Sequence, residues 1–234
     1  MSDKWTALTK CPHKRFSNIV FISDDEFVVA PYNYNKQKSD GILKYSSATN
    51  KWMTIVKYPK DFQTWNCSLS FDSTERKLYL IGAQAIVFVI DLNSKEIGEL
   101  PNGNIEVGVN PSSLFVDGQL HIIGGSRNRK HLMRDIYSEE GQSDEKTENA
   151  FEEVYEFEDW SKGNQNCGLV YVKSKNQLIL FGGYNQYNEH KYAQMVWVCS
   201  LDEKKNKKKW AKKVKMPERA CYFGYVLRYI CKST

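Results

Sequence analysis

Apolar positions recur along the chain in short clusters of five to eight residues, separated by turn-forming residues, which is a strand pattern and not a helical one. Five of these clusters align, at 16–23, 67–72, 112–117, 167–172 and 221–226. Anchored on Ile19, Leu69, Leu114, Leu169 and Phe223, they recur at intervals of 50, 45, 55 and 54 residues. A second strand is predicted after each of the first four, at 26–30, 77–82, 119–124 and 177–182. These second segments are nearly continuous apolar runs, as expected of strands covered on both faces. Third strands are predicted at 41–46, 85–91, 131–138 and 195–201. Fourth strands open on or near an aromatic, and Trp5, Trp52 and Trp210 are each followed seven residues later by a proline, Pro12, Pro59 and Pro217. That repeated spacing makes the tryptophans apolar wedges between adjacent sheets and not platforms for a ligand.

Four short strands in a unit of about fifty residues describe one blade of a β-propeller. The predicted fold class is therefore all-β, a single propeller domain over 1–234. Its four complete blades lie near 15–59, 65–101, 111–159 and 166–217, with a split partial fifth from 1–12 and 219–234. The split blade is short of at least one strand, so the favoured expectation is a fragment of a larger ring.

Composition agrees with a folded domain: 41% hydrophobic, 26% charged and 13% aromatic residues. No run approaches the length of a membrane helix and no signal-like apolar block opens the chain, so a cytoplasmic or nuclear location is expected. The formal net charge of +5 is local. Eight lysines lie between Lys204 and Lys215, and without them 25 basic residues face 28 acidic ones. The opposite bias lies at 135–159, with eleven acidic residues. The lysine run reads first as a solvated hairpin tip. Binding of nucleic acid or acidic lipid through it is a third-ranked expectation, because its one aromatic, Trp210, is better explained by the repeated spacing and no reader motif accompanies it.

Cysteines stand at 11, 67, 167, 199, 221 and 231 without a Cys-x-x-Cys pair, which argues against structural zinc. Cys67, Cys167 and Cys221 share one phase of the repeat, two residues before the anchor, and are expected as reduced core residues. His121 lies inside an apolar strand and reads as a satisfied core residue. His13 and His190 fall in loops of different blades, and no cofactor or metal is expected.

Two details resemble the kelch repeat. Glycine pairs follow the second strands at Gly124–Gly125 and Gly182–Gly183, and Tyr45 precedes Trp52 by seven residues. The turns from Pro12 to Arg15 and from Pro217 to Arg219 add a third kelch-like trait. Other units are degenerate, with Gly82–Ala83 and Ala30–Pro31 in place of the glycine pair. Strand alternation puts the loops after second and fourth strands on one face. That face gathers Tyr32, Asn33 and Tyr34, then Arg127 and Arg129, then Tyr184, Asn185, Tyr187 and His190, with Arg15 and Arg219 at the turns. Tyr and Arg build contact surfaces at low entropic cost. In kelch proteins this face often receives partner peptides, so the resemblance implies a non-catalytic module that binds a protein partner, as scaffold or substrate-recognition part. Membrane and nucleic-acid partners are disfavoured. The alternative is a kelch-propeller enzyme acting on a sugar or other small molecule, since some members of the family are enzymes.

Overall fold

The computed structural model describes residues 8–13, 16–31, 41–58, 67–82, 86–100, 107–137, 150–158, 160, 163–185, 194–202 and 209–217. Four antiparallel sheets of four strands each follow one another in a ring, a four-bladed β-propeller. The first blade holds β1 (Phe16–Phe21), β2 (Glu26–Pro31), β3 (Ile42–Ser46) and β4 (Lys51–Val56). The second holds β5 (Ser68–Asp72), β6 (Lys77–Ile81), β7 (Val87–Asp91) and β8 (Ile97–Glu99). The third holds β9 (Ser112–Val116), β10 (Gln119–Ile123), β11 (Lys130–Asp135) and β12 (Glu152–Glu156). The fourth holds β13 (Gly168–Val172), β14 (Gln177–Phe181), β15 (Val196–Ser200) and β16 (Trp210–Lys212). In every sheet the chain runs outward strand by strand. The first strands β1, β5, β9 and β13 are the innermost, each in contact with the next along the chain.

The strand bounds follow the sequence reading to within three residues. Of the split fifth blade, 1–7 and 219–234 lie outside the described residues, and the described part of the strand expected from Trp5 to Pro12 is not a strand. Residues 8–13 carry no strand. They lie beside the β3–β4 turn, where Thr9 Oγ1 donates to the Asn50 carbonyl at 2.7 Å and the Trp52 indole donates to the Thr9 carbonyl at 3.1 Å.

The core lies between blades and not within them. Val28, Ala30 and Ile42 of the first blade meet Cys67, Leu69, Leu78, Leu80, Phe88 and Ile90 of the second. The other face of the second blade, with Tyr79, Ile81 and Val87, meets Leu120, Ile122 and Leu132 of the third. Burying each such side chain contributes about 1.5–3 kcal/mol, so alternate residues of one strand hold two neighbours at once. This is why β6 and β10 read as unbroken apolar runs and are buried from Leu78 to Ile81 and from Leu120 to Ile123. β14 departs from that expectation. Leu178 and Leu180 are buried against the third blade, while Ile179 and Phe181 are half-buried. They face the other side, where the described residues supply no further sheet.

Cys67, Cys167 and Cys199 are buried in these interfaces, as the repeat phase predicted for the first two; Cys221 lies outside the described residues. Trp210 is a wedge between the third and fourth blades.

Hairpins are closed by a recurring device. Asp72 and Asp91 end their strands, and each accepts through Oδ1 from the backbone N–H groups two and three residues on. Those two bonds hold the Asp91 carboxyl below the usual carboxylate range. Asp117 and Gly118 both take positive φ, 46° and 84°, the two-residue turn whose twist matches the strands it joins.

Asp72, 1% exposed, also accepts from Tyr137 Oη through Oδ2 at 2.5 Å, which ties the third blade to the second. Partial burial, and then this bond, push the Tyr137 hydroxyl up to about 12. A raised folded value means the bond's contribution is complete below the unfolded tyrosine range near pH 10 and is lost as pH rises toward 12. Alkaline melts are therefore expected to fall less steeply between pH 10 and 12 for Tyr137→Phe than for the parent. Parallel curves would remove this bond from the account of how the blades are joined.

Candidate functional site

The second strands of the third and fourth blades end in Gly124–Gly125 and Gly182–Gly183, all at positive φ between 64° and 110°. A Cβ on Gly125 would lie 1.9 Å from the Val107 carbonyl oxygen, and one on Gly124 2.3 Å from the Asn164 carbonyl oxygen. On Gly183 it would meet Asn164 Nδ2 and Cys167 Sγ, both at 2.6 Å. The glycines thus let the segments entering each blade, 107–110 and 163–166, lie across the ends of the second strands.

Those segments form a belt of amides joining the two blades. The Gly125 N–H donates to the Asn164 carbonyl at 2.8 Å, and the Asn166 N–H to the Asn110 carbonyl at 3.1 Å. Gln165 and Tyr184 exchange backbone bonds of 3.0 and 2.7 Å. Asn164 Nδ2 donates to the Gly182 carbonyl at 3.0 Å, and Asn110 Nδ2 donates to Gln165 Oε1 at 3.4 Å. Asn110 and Asn166 take left-handed backbone, φ 53° and 56°, to turn the chain into the innermost strands. Within this belt Asn164 Oδ1 and Asn166 Nδ2 are buried without a hydrogen-bond partner, an acceptor and a donor on residues two apart. Native proteins leave few such groups unmatched, so each calls for a physical account.

A second polar group lies among the innermost strands. Asn18 Nδ2 donates to Ser68 Oγ at 3.2 Å, Ser68 Oγ and Ser113 Oγ are 2.6 Å apart, and Ser70 Oγ donates to Ser113 Oγ at 2.7 Å. Ser112 Oγ donates to the Cys167 carbonyl at 2.8 Å. These hydroxyls were visible in the sequence as polar exceptions within the repeated apolar segments. Sequence reasoning passed over them because strand patterning counts them as noise.

Of the residues nominated from sequence, Arg127, Arg129, Tyr184 and Asn185 are described, and all four stand on the second-strand ends of the third and fourth blades. Arg127 is exposed. Arg129 pairs through Nε with Glu156 Oε1 at 2.5 Å, at the outer strand of its own blade. Tyr184 is half-buried beside Gln165, and Asn185 is 7% exposed. Arg15, Tyr32, Asn33, Tyr34, Tyr187, His190 and Arg219 lie outside the described residues.

His121, expected as a satisfied core residue, is fully buried and bonded to His131, Nδ1 to Nε2 at 2.9 Å, and His131 takes a second bond from the Trp210 indole at 3.2 Å. Among the described residues no three His, Cys, Asp or Glu side chains come together as a metal site would require.

No protein-family model matches the sequence, and no curated protein does either. Solved structures do match in shape. The structure of YjhT superposes with a TM-score of 0.62 at 11% identity, over 92% of this chain and 69% of that one. A fungal alcohol oxidase of the AA5 family, in complex with copper, superposes with a TM-score of 0.54 at 13% identity. That match takes in 94% of this chain and 57% of the oxidase. Likeness at this level shows the propeller fold. It also corrects the expectation of a non-catalytic interaction module, because the same ring carries an oxidase in one of these neighbours. The copper of that enzyme does not fit the donors described here: His121 and His131, on adjacent strands of the third blade, are bonded to each other, and among the described residues no group of three His, Cys, Asp or Glu could hold a metal.

Proposed function

We propose that this chain is a kelch-type propeller enzyme acting on a sugar or other small hydroxylated molecule, held on the face where the second strands end. The glycine pairs at the ends of β10 and β14 support the kelch assignment, since they stand where that repeat has them and serve the close approach of the incoming segments. The observation that carries the ligand class is the unmatched acceptor on Asn164 and donor on Asn166. A sugar hydroxyl both donates and accepts, so one such group satisfies either atom, and neighbouring hydroxyls satisfy both. Arg127 and Tyr184 stand at the rim of the same belt, where a charged donor and a ring face add orientation.

The test is a panel of monosaccharides, sugar acids, amino sugars and primary alcohols offered to the purified chain, read by melting temperature and by product formation. A ligand at 100 times its Kd adds about 2.7 kcal/mol to stability. For a chain of 234 residues that corresponds to a rise of roughly 5–10 °C. Tyr184→Ala is expected to weaken that ligand about tenfold or more while leaving the melting temperature of the free protein within a few degrees. A cooperatively melting chain that neither shifts nor turns over any member of the panel would end this reading.

A further inference from the structure

We propose that Trp210, His131 and His121 form an acid-sensitive latch that holds the outermost strand of the fourth blade to the third. All three side chains are buried, the two imidazoles completely and the indole to 4% exposure. The rings pack at centroid separations of 5.1 Å between the histidines and 5.6 Å between His131 and Trp210.

The chain of bonds determines where the protons sit. An indole N–H can only donate, so His131 Nδ1, which receives it, is bare. A neutral His131 then carries its proton on Nε2 and donates to His121 Nδ1. His121 in turn carries its own on Nε2. No other arrangement of two neutral imidazoles satisfies both bonds.

Adding a proton to either ring breaks this order. A proton on His131 Nδ1 sets two N–H groups against each other at the indole. A proton on His121 Nδ1 does the same at the His131 Nε2–H, and His131 cannot change tautomer without losing Trp210. The latch is closed only when both rings are neutral, and acidification through the ordinary imidazole range favours the open state.

Among the described residues, the surroundings leave that response in place. His121 is opposite Met133 and Leu114, and His131 is opposite Ile123 and Tyr155. From the fourth blade Tyr171, Cys167 and Cys199 share the cluster, all uncharged in this pH range, and Lys212 lies over the Trp197 ring at 5.2 Å. Asp135 and Glu152 share the histidines' sheet face by register but reach water, half-buried and exposed respectively. Arg134 and Lys130 alternate to the opposite face, where they meet Phe151 and Glu153. Opening would move β16 and with it Lys209, Lys212, Lys213 and Lys215, all exposed, so acid would change how part of the lysine run is presented.

Amide hydrogen exchange of the whole chain tests this, measured at pH 7.5 and 5.5 and corrected for the intrinsic pH dependence of exchange. The opening equilibrium of β16 is expected to grow about tenfold per pH unit for each proton taken up, while β5 and β6 stay unchanged. Nitrogen-detected NMR at pH 7.5 is expected to show both rings as the Nε2–H tautomer. Trp210→Phe is expected to flatten the pH dependence, because the donor that forbids a proton on His131 is gone. Exchange of β16 that ignores pH, an Nδ1–H tautomer on either ring, or a Trp210→Phe variant that keeps the full pH slope would each overturn the latch. If Trp210→Phe does not fold, the exchange and tautomer measurements on the parent decide alone.

Discussion

Gly125→Ala is expected to lower stability by at least about 3 kcal/mol, or roughly 6–12 °C in melting temperature for a chain of this length. Two costs combine at that position. The backbone stands at φ +110°, a region that residues bearing a Cβ rarely enter. The added methyl would also lie 1.9 Å from the Val107 carbonyl oxygen, which is main chain and cannot rotate away. Relief requires the 107–110 segment to lift off the end of β10. That would break the Ser126 N–H bond to the Val109 carbonyl at 2.9 Å and disturb the amide belt beyond it. Gly98→Ala is the control: that glycine has ordinary φ, and a Cβ there would meet nothing within 4 Å. Its substitution is expected to change stability by no more than about 0.5 kcal/mol, since alanine is also the less entropically costly residue to order. Chemical denaturation of both variants checks the pair, and a Gly125→Ala loss under about 1 kcal/mol would mean the incoming segment is not held against the strand end.

Phe157→Ala is expected to cost about 3–5 kcal/mol, the usual range for a fully buried aromatic cut back to a methyl. Phe157 is 0% exposed and stacks on Trp160 with centroids 4.0 Å apart and planes 8° from parallel. It also meets Trp197 edge-on at 5.4 Å, Trp210 at 5.5 Å and Tyr155 at 5.0 Å. Four aromatic neighbours from both blades leave no flexible side chain to collapse into the space, so the cavity term is not relieved. Phe157→Leu keeps most of the volume and is expected to cost less than about 2 kcal/mol. Near-ultraviolet circular dichroism is the sensitive reporter, because the alanine variant loosens three tryptophans at once. An unchanged aromatic spectrum with unchanged stability would place the join between these blades elsewhere.

These residues differ in how far the sequence betrays them. Gly125 was legible as half of a repeated pair, because positive φ at a fixed place in a unit leaves a compositional mark. Its partner, the Val107 carbonyl, was not legible, since any residue supplies a carbonyl. Phe157 gave no signal at all: it stands between Glu156 and Glu158 at the end of an acidic stretch, and local pattern reads it as surface. The His121–His131 bond had a signal that went unused. The two residues lie on adjacent antiparallel strands, and the hairpin register that pairs Leu120 with Arg134 and Ile122 with Leu132 puts both imidazoles on one face. Trp210, which sets their tautomers, comes from another blade 79 residues away. The polar face was located by strand counting, yet Arg129 turned to its own Glu156, and the belt that stands out there is made of asparagines that look like ordinary turn residues.

By itself the sequence determined the repeat, the four strands of each unit, the sides on which their loops emerge and the burial of Cys67, Cys167 and Trp210. Each of these follows from period-two alternation and turn chemistry, which act over a few residues and leave their record in order along the chain. The tertiary structure alone decided which side chains meet between blades: the amides with an unmatched acceptor and donor, the hydroxyls among the innermost strands, the aromatic hub at Phe157 and the locked histidine pair. Those contacts join residues tens of positions apart, and their chemistry depends on distances of a few tenths of an ångström that emerge only when neighbouring sheets pack.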